Sequence, residues 1–259
     1  MVRQAYPSDL SDSQWETLQP LIPAPKPGPQ EVKYERREIV NAMLYQKRTG
    51  CQWRFLPHDF PPWSLVKKYY YQWQEDGTFK RILSTLRERV RTQAGRAKEP
   101  SLMIADSQSV KTTEAGGPRG FDAGKKVKGR KRHLLVDILG LLVVVLVTSA
   151  SVQDRDAFAA LVQEAKTTSA RLANVLVDGA YTGEAVARVS KEASLAVTLV
   201  KRLDTKGFTL IPKRWIVERS FGWLNRDRRL SKDYERNPRS SETWIQISFI
   251  HTMIKRLAS

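Results

Sequence analysis

Apolar and polar positions change their rhythm about one hundred residues into the chain. Before that point the spacing is helical. Asp12 to Leu21 reads as a short helix with Ser11 or Asp12 as its cap, and PAPKPGPQ (23–30) reads as a Pro-rich linker. Ile39, Val40, Met43 and Leu44 fall on one face of a helix over Arg36–Arg48, which Gly50 stops. After Pro61 and Pro62, Ser64 can cap a helix running to about Glu75, Gly77 ends it, and another follows from Phe79 to about Arg91. Short helices with a Pro turn ahead of a Lys/Tyr/Trp-rich helix have the order of a helix-turn-helix module, with Lys67, Lys68, Tyr70 and Tyr71 available to DNA. Trp63, Tyr69, Trp73 and Phe79 serve equally as a small aromatic core.

Past TQAGRAKEP (92–100) the texture is that of strands. SLMIAD (101–106) is an apolar run ending in an acid, Arg132–Ile138 and Leu141–Thr148 make a hairpin split at Gly140, and LANVLVD (172–178) is a second strand ending in an acid. Helices are expected over Arg155–Thr167, Gly183–Glu192, Lys213–Leu230 and Ser241–Leu257, and a strand over Leu195–Val200. A hairpin start followed by alternating units predicts a mixed sheet flanked by helices, in the element order of an RNase H-like core. The expected division is a small all-α, helix-turn-helix-like domain over 1–95 and an α/β RNase H-like catalytic domain over 100–259.

Charge sharpens this picture. With 44 Lys+Arg against 27 Asp+Glu, the net +17 favours approach to a polyanion. Cys51 is the only cysteine, so no intramolecular disulfide is possible, and three separated histidines give no zinc spacing. MVRQAYPSDLSDSQW has no apolar signal core, and the longest apolar run, Leu141–Val147, is far below a membrane span. A cytoplasmic, nucleoid-associated protein is expected. Gly124–Lys131 fails as a phosphate loop because Gly129 is followed by Arg130 and Lys131.

Three acids stand out. Asp106 and Asp178 end predicted strands, where α/β folds place their sites. Glu218 lies in a helix whose Trp215, Val217, Phe221 and Leu224 predict packing, and a carboxylate near such a face needs a partner such as a metal ion. Phosphodiester cleavage requires an activated oxygen nucleophile and a stabilised leaving oxygen, which two divalent ions supply together. Each acid taken alone has an ordinary reading, as a strand-end cap or a surface residue. Basic stretches flank the set: Lys111–Arg132, and Lys201–Arg239 with twelve Lys/Arg against five Asp/Glu. Candidate phosphate contacts are Lys125, Lys126, Lys128, Arg130, Lys131, Arg132, Arg214, Arg219 and Arg226. Gly116, Gly117, Gly120, Gly124 and Gly129 punctuate the first stretch, which predicts flexibility without DNA and a strand beginning only near Lys131.

At these residues the sequence resembles the DDE transposases of bacterial insertion sequences, of the group called family five within a wider family four/five group. The resemblance runs through DLSDSQWETLQPLIP, YQKRTGCQWRFLPHDFPPWSLV, IADSQSVK, GRKRHLLVDILGLLV, VLVDGAYTG and IPKRWIVERSFGWLNRDRRLSKDYE. It implies an RNase H-like core, a triad of Asp106, Asp178 and Glu218, and two Mg²⁺ ions for which Mn²⁺ substitutes. It also implies action on the terminal inverted repeats of an insertion sequence and on target DNA, in a homodimer or higher synaptic complex. Arg214 and Glu218 fit the Arg and Glu of the group's Tyr–Arg–Glu–Lys signature, whereas Ile211 stands at the Tyr position and Asn225, followed by Arg226, at the Lys position. Two other readings share these features: a DNA-binding repressor without catalysis, and a nuclease that cuts without joining.

Overall fold

A computed structural model describes residues 3–24, 34–200 and 214–258. Helix α1 (Asp12–Leu18) opens with a capping box in which the Ser11 hydroxyl accepts from the Gln14 amide and the Gln14 side chain accepts from the Ser11 amide. Helix α2 (Arg36–Thr49) ends at Gly50 in the left-handed conformation. Helices α3 (Trp63–Glu75) and α4 (Thr78–Gln93) follow, α3 starting directly after Pro62 with no side-chain cap from Ser64. The Pro-rich linker lies largely outside the described residues.

The sheet comprises β1 (Leu102–Lys111), β2 (Gly120–Asp122), β3 (Val127–Asp137), β4 (Leu142–Ser149), β5 (Asn174–Val177) and β6 (Ala196–Leu199). Strand β3 is central among the antiparallel members: β1 pairs one edge, and β4 and the short β2 share the other. Strands β5 and β6 extend the sheet beyond β1 in parallel. Four antiparallel strands, of which β2 is short, continued by two parallel ones form the mixed sheet of an RNase H-like fold, as the element order predicts. Helices α5 (Asp154–Thr168) and α6 (Glu184–Glu192) cover one face. Helices α7 (Arg214–Leu224) and α8 (Pro238–Leu257) cover the other.

Period-two alternation sorts β1 cleanly. Met103 and Ala105 join the cluster of Phe158 and Leu161 beneath α5, while Ile104 joins the opposite cluster with Leu134 and Val136. The second cluster continues without a break through α7 and α8 into α1–α4, where Trp244 of α8 stacks on Tyr70. The helices of 1–95 and the sheet therefore share apolar core.

Several boundaries differ from those expected. Strand β1 continues five residues past Asp106, so that acid is mid-strand and does not end it. Strand β3 starts at Val127 instead of Lys131, because its charged members Arg130 and Arg132 are buried under the segment after α7 and bonded to its carbonyls. The helix expected to run to Leu230 stops at Leu224, followed by a 3-10 turn over Arg228–Leu230.

Candidate active site

Strand register brings two of the three acids together. Leu102 pairs with Asn174 and Ile104 with Leu176, a constant offset that puts Asp106 level with Asp178. The β1–β5 ladder ends at Ile104 and β5 itself at Val177, so both aspartates stand where the parallel ladder opens. Ile104 and Leu176 belong to the same cluster beneath α7. Two residues further on, strand alternation directs Asp106 to that same face, and the same parity carried past the end of β5 directs Asp178 there too, on strands ~4.8 Å apart. Both are half-buried. The Ser107 amide donates to Asp106 Oδ1 at 2.7 Å and the Ala180 amide to Asp178 Oδ1 at 3.0 Å.

Tyr181, which the sequence reading did not single out, adjoins this pair. Its amide donates to the Asp178 carbonyl at 3.1 Å and its ring meets Phe158 edge-on. Burial pushes the hydroxyl well above its ordinary range, and the charges of Asp154, Asp106 and Asp178 push it further. One hydroxyl thus feels both aspartates. The signal was present in VLVDGAYTG, three residues after Asp178.

Helix α7 packs on β1 and β3 and carries Glu218 on an exposed position. Trp215, expected to be packed, is 38% exposed and lies against the Arg219 guanidinium. Among the described residues no three His, Cys, Asp or Glu side chains are gathered closely enough to hold one ion. By strand register the two aspartates stand at one level, and Glu218 lies on the helix that packs on β1 and β3. In chemistry the donors fit magnesium, since all are carboxylate oxygens.

The candidate phosphate contacts divide by burial. Lys68, Tyr71, Lys125, Lys126, Lys128 and Arg226 are exposed and Lys67 is half-buried. Lys125 nevertheless reaches back to the Ser107 carbonyl at 2.8 Å, next to Asp106. Arg219 is half-buried, donates to the Leu139 carbonyl and packs between Trp215 and Trp223. The Arg214 side chain lies outside the described residues. Four other candidates are corrected. Tyr70 is 1% exposed, and its hydroxyl donates to the Ser240 carbonyl. Arg130 is fully buried and donates to the carbonyls of Pro118, Glu235 and Arg236 and to Asp233. Arg132 donates to the Leu230 and Lys232 carbonyls, and burial lowers its pKa to about 10. Lys131 lies between Asp122 at 3.5 Å and Asp154 at 3.3 Å. These four side chains are committed to partners within the protein.

Comparison with known proteins identifies the family. Residues 97–254 match the family described as "Transposase DDE domain", and residues 10–83 match "Putative transposase of IS4/5 family". An uncharacterized protein of Sinorhizobium fredii, y4sN, is 29% identical over 119 residues, covering 45% of this chain and 87% of that protein. The "Putative transposase for insertion sequence element IS402" of Burkholderia cepacia is 28% identical over 127 residues, covering 46% of this chain and 59% of that one. A solved structure titled "Crystal structure of the Mos1 Strand Transfer Complex" aligns over 91% of this chain and 78% of the other at 13% identity, with a TM-score of 0.33. The family match spans well over half of the sequence, and the chain belongs to the DDE-domain transposases of the IS4/5 group, enzymes that cut and rejoin DNA and depend on divalent metal ions.

Proposed function

We propose that this transposase binds the terminal inverted repeats of its own insertion sequence, hydrolyses a phosphodiester there to free a 3′-OH, and joins that 3′-OH to target DNA. The observation that supports the proposal is the register of β1 and β5, which sets Asp106 level with Asp178 at the end of the parallel ladder, on strands over which α7 packs. Asp106, Asp178 and Glu218 are the residues that hold two Mg²⁺ ions, with Mn²⁺ as a substitute. When bound, such a pair activates an oxygen nucleophile and stabilises the leaving oxygen. The backbone amides of Ser107 and Ala180 hold one oxygen of each aspartate and so orient the two carboxylates. The exposed Lys126, Lys128 and Arg226 supply phosphate contacts, and the exposed side of α3, with Lys68 and Tyr71, reads the repeat. The helices of 1–95 thus serve end recognition and residues 100–259 serve catalysis. Joining two ends in one event calls for a homodimer or higher synaptic complex.

The experiment is a strand-transfer assay with the full chain, Mg²⁺, a duplex carrying the repeats that flank the gene, and a separate target duplex. Joined product, absent when the repeat is scrambled, is the expected result. Cleavage without joining identifies a nuclease, and binding without cleavage identifies a repressor; either refutes the proposal.

A further inference from the structure

On the face that carries Asp106, three separate aromatic rings reach solvent among cations. Strand pairing sets Phe121 opposite Lys128, so the two side chains project to one side of the sheet. The parity of β3, in which Leu134 lies opposite Asp106, makes that side the Asp106 side. Phe121 is 55% exposed, the most exposed ring among the described residues of the sheet domain. It stands six residues of β3 away from the Asp106 level, a distance of ~20 Å along the strand.

Between the two lies the segment that roofs Arg130 and Arg132. Its carbonyls at Leu230, Lys232, Glu235 and Arg236 accept from those two buried arginines. With the backbone tied inward, the side chains of Lys232, Tyr234 and Arg236 are exposed. Gly117 lets the β2 approach touch this roof: a Cβ there would stand 1.9 Å from the Arg236 carbonyl oxygen. Roof and hairpin are therefore one surface. On α3, Tyr71 with Lys67 repeats the pairing of ring and cation at the margin of the same surface.

We infer that Phe121 and Tyr234, with Lys128, Lys232 and Arg236 beside them, form a stacking track for an unpaired DNA strand leaving the carboxylate site. The inference rests on the reading of the chain as a DNA-cutting enzyme. Each ring is isolated from the others and flanked by positive charge, which suits successive bases joined by phosphates and gives no continuous apolar patch for a protein partner. Every base has a π-face, so such a track binds without sequence preference. The net charge of +17 supplies the attraction along its length.

The test measures affinity of the full chain for fluorescent oligothymidylate and for a mixed-sequence duplex at one salt concentration. Phe121→Ala and Tyr234→Ala should each weaken oligothymidylate binding about tenfold and leave duplex binding within about twofold. Phe121→Trp should retain the affinity, which separates stacking from a general disturbance of the hairpin. Equal losses on both probes would assign the rings to duplex contact and overturn the inference, as would no loss on either. A wild-type chain that binds duplex but not oligothymidylate also overturns it while leaving the proposed function standing; a chain that binds no DNA removes both.

Discussion

Replacing Arg130 with methionine separates the structural role of this residue from a role on DNA. Its guanidinium is fully buried and bonds to Asp233 at 3.1 Å, to the Ser241 hydroxyl at 3.2 Å, and to the carbonyls of Pro118, Glu235 and Arg236 at 2.8, 2.7 and 2.7 Å. Methionine keeps much of the aliphatic stem and removes all five bonds. Asp233, also buried, then loses its ion-pair partner and keeps the Ser241 hydroxyl and the Glu235 amide. Removing one side of a buried ion pair costs about 3–5 kcal/mol, and for a chain of this size that lowers the melting temperature by roughly 6–20 °C. Thermal unfolding followed by circular dichroism measures the loss, and a salt titration of DNA binding below the transition measures any phosphate contact. The account predicts a large loss of stability with an unchanged salt slope. An Arg130→Met protein of wild-type stability, whose log–log salt slope falls by about one unit, would refute it and return Arg130 to the phosphate contacts.

Lys126→Gln with Lys128→Gln, both exposed, should do the reverse in the same two assays: unchanged melting and a salt slope reduced by about one unit per lost contact. An unchanged slope removes these lysines from the interface. Burial raises the Glu242 carboxyl from 4.5 to about 7 while the Val147 amide donates to its Oε1, so the folded state favours the protonated form and stability is lost as pH rises through about 7. Glu242→Gln, whose amide oxygen still accepts from Val147, should exceed wild type by about 3 kcal/mol above that range and match it below pH 4.5; a pH-independent difference in denaturant midpoint contradicts this. The buried Tyr181 hydroxyl has no hydrogen-bond partner among the described residues, so Tyr181→Phe should change stability by less than about 1 kcal/mol, checked by urea unfolding.

Much of the architecture was legible because period-two and period-3.6 patterns are local. Met103, Ile104 and Ala105 announce a strand buried on both faces, and Ser11 with Gln14 announces a helix start. Asp106 and Asp178 were legible through short apolar runs that end in an acid, although the strand after Asp106 was hidden. Its continuation, SQSVK, carries no apolar alternation, since Ser107 and Ser109 meet Lys125 and Asp122 instead of a greasy layer. Strand β3 was misplaced for the same reason. Lys128, Arg130 and Arg132 read as phosphate contacts until the segment over Leu230–Arg236 supplies carbonyls to the two arginines. That segment is a hundred residues away, and no pattern within GKKVKGRKR reveals it. Tyr70 was misread likewise, since the Trp244 ring that buries it lies on α8. Residues whose partners come from distant elements are the ones a sequence cannot place.

The central claim, that Asp106, Asp178 and Glu218 carry the chemistry, is tested most directly by cleavage of a repeat-bearing duplex in Mg²⁺ by Asp106→Asn, Asp178→Asn and Glu218→Gln proteins, with duplex binding measured beside it. Each change removes a charge from the proposed ion site without removing a phosphate contact. All three variants should bind the duplex as wild type does and cut none of it. A Glu218→Gln protein that still cuts would contradict the claim, and would leave the aligned aspartates of β1 and β5 to find their third ligand elsewhere.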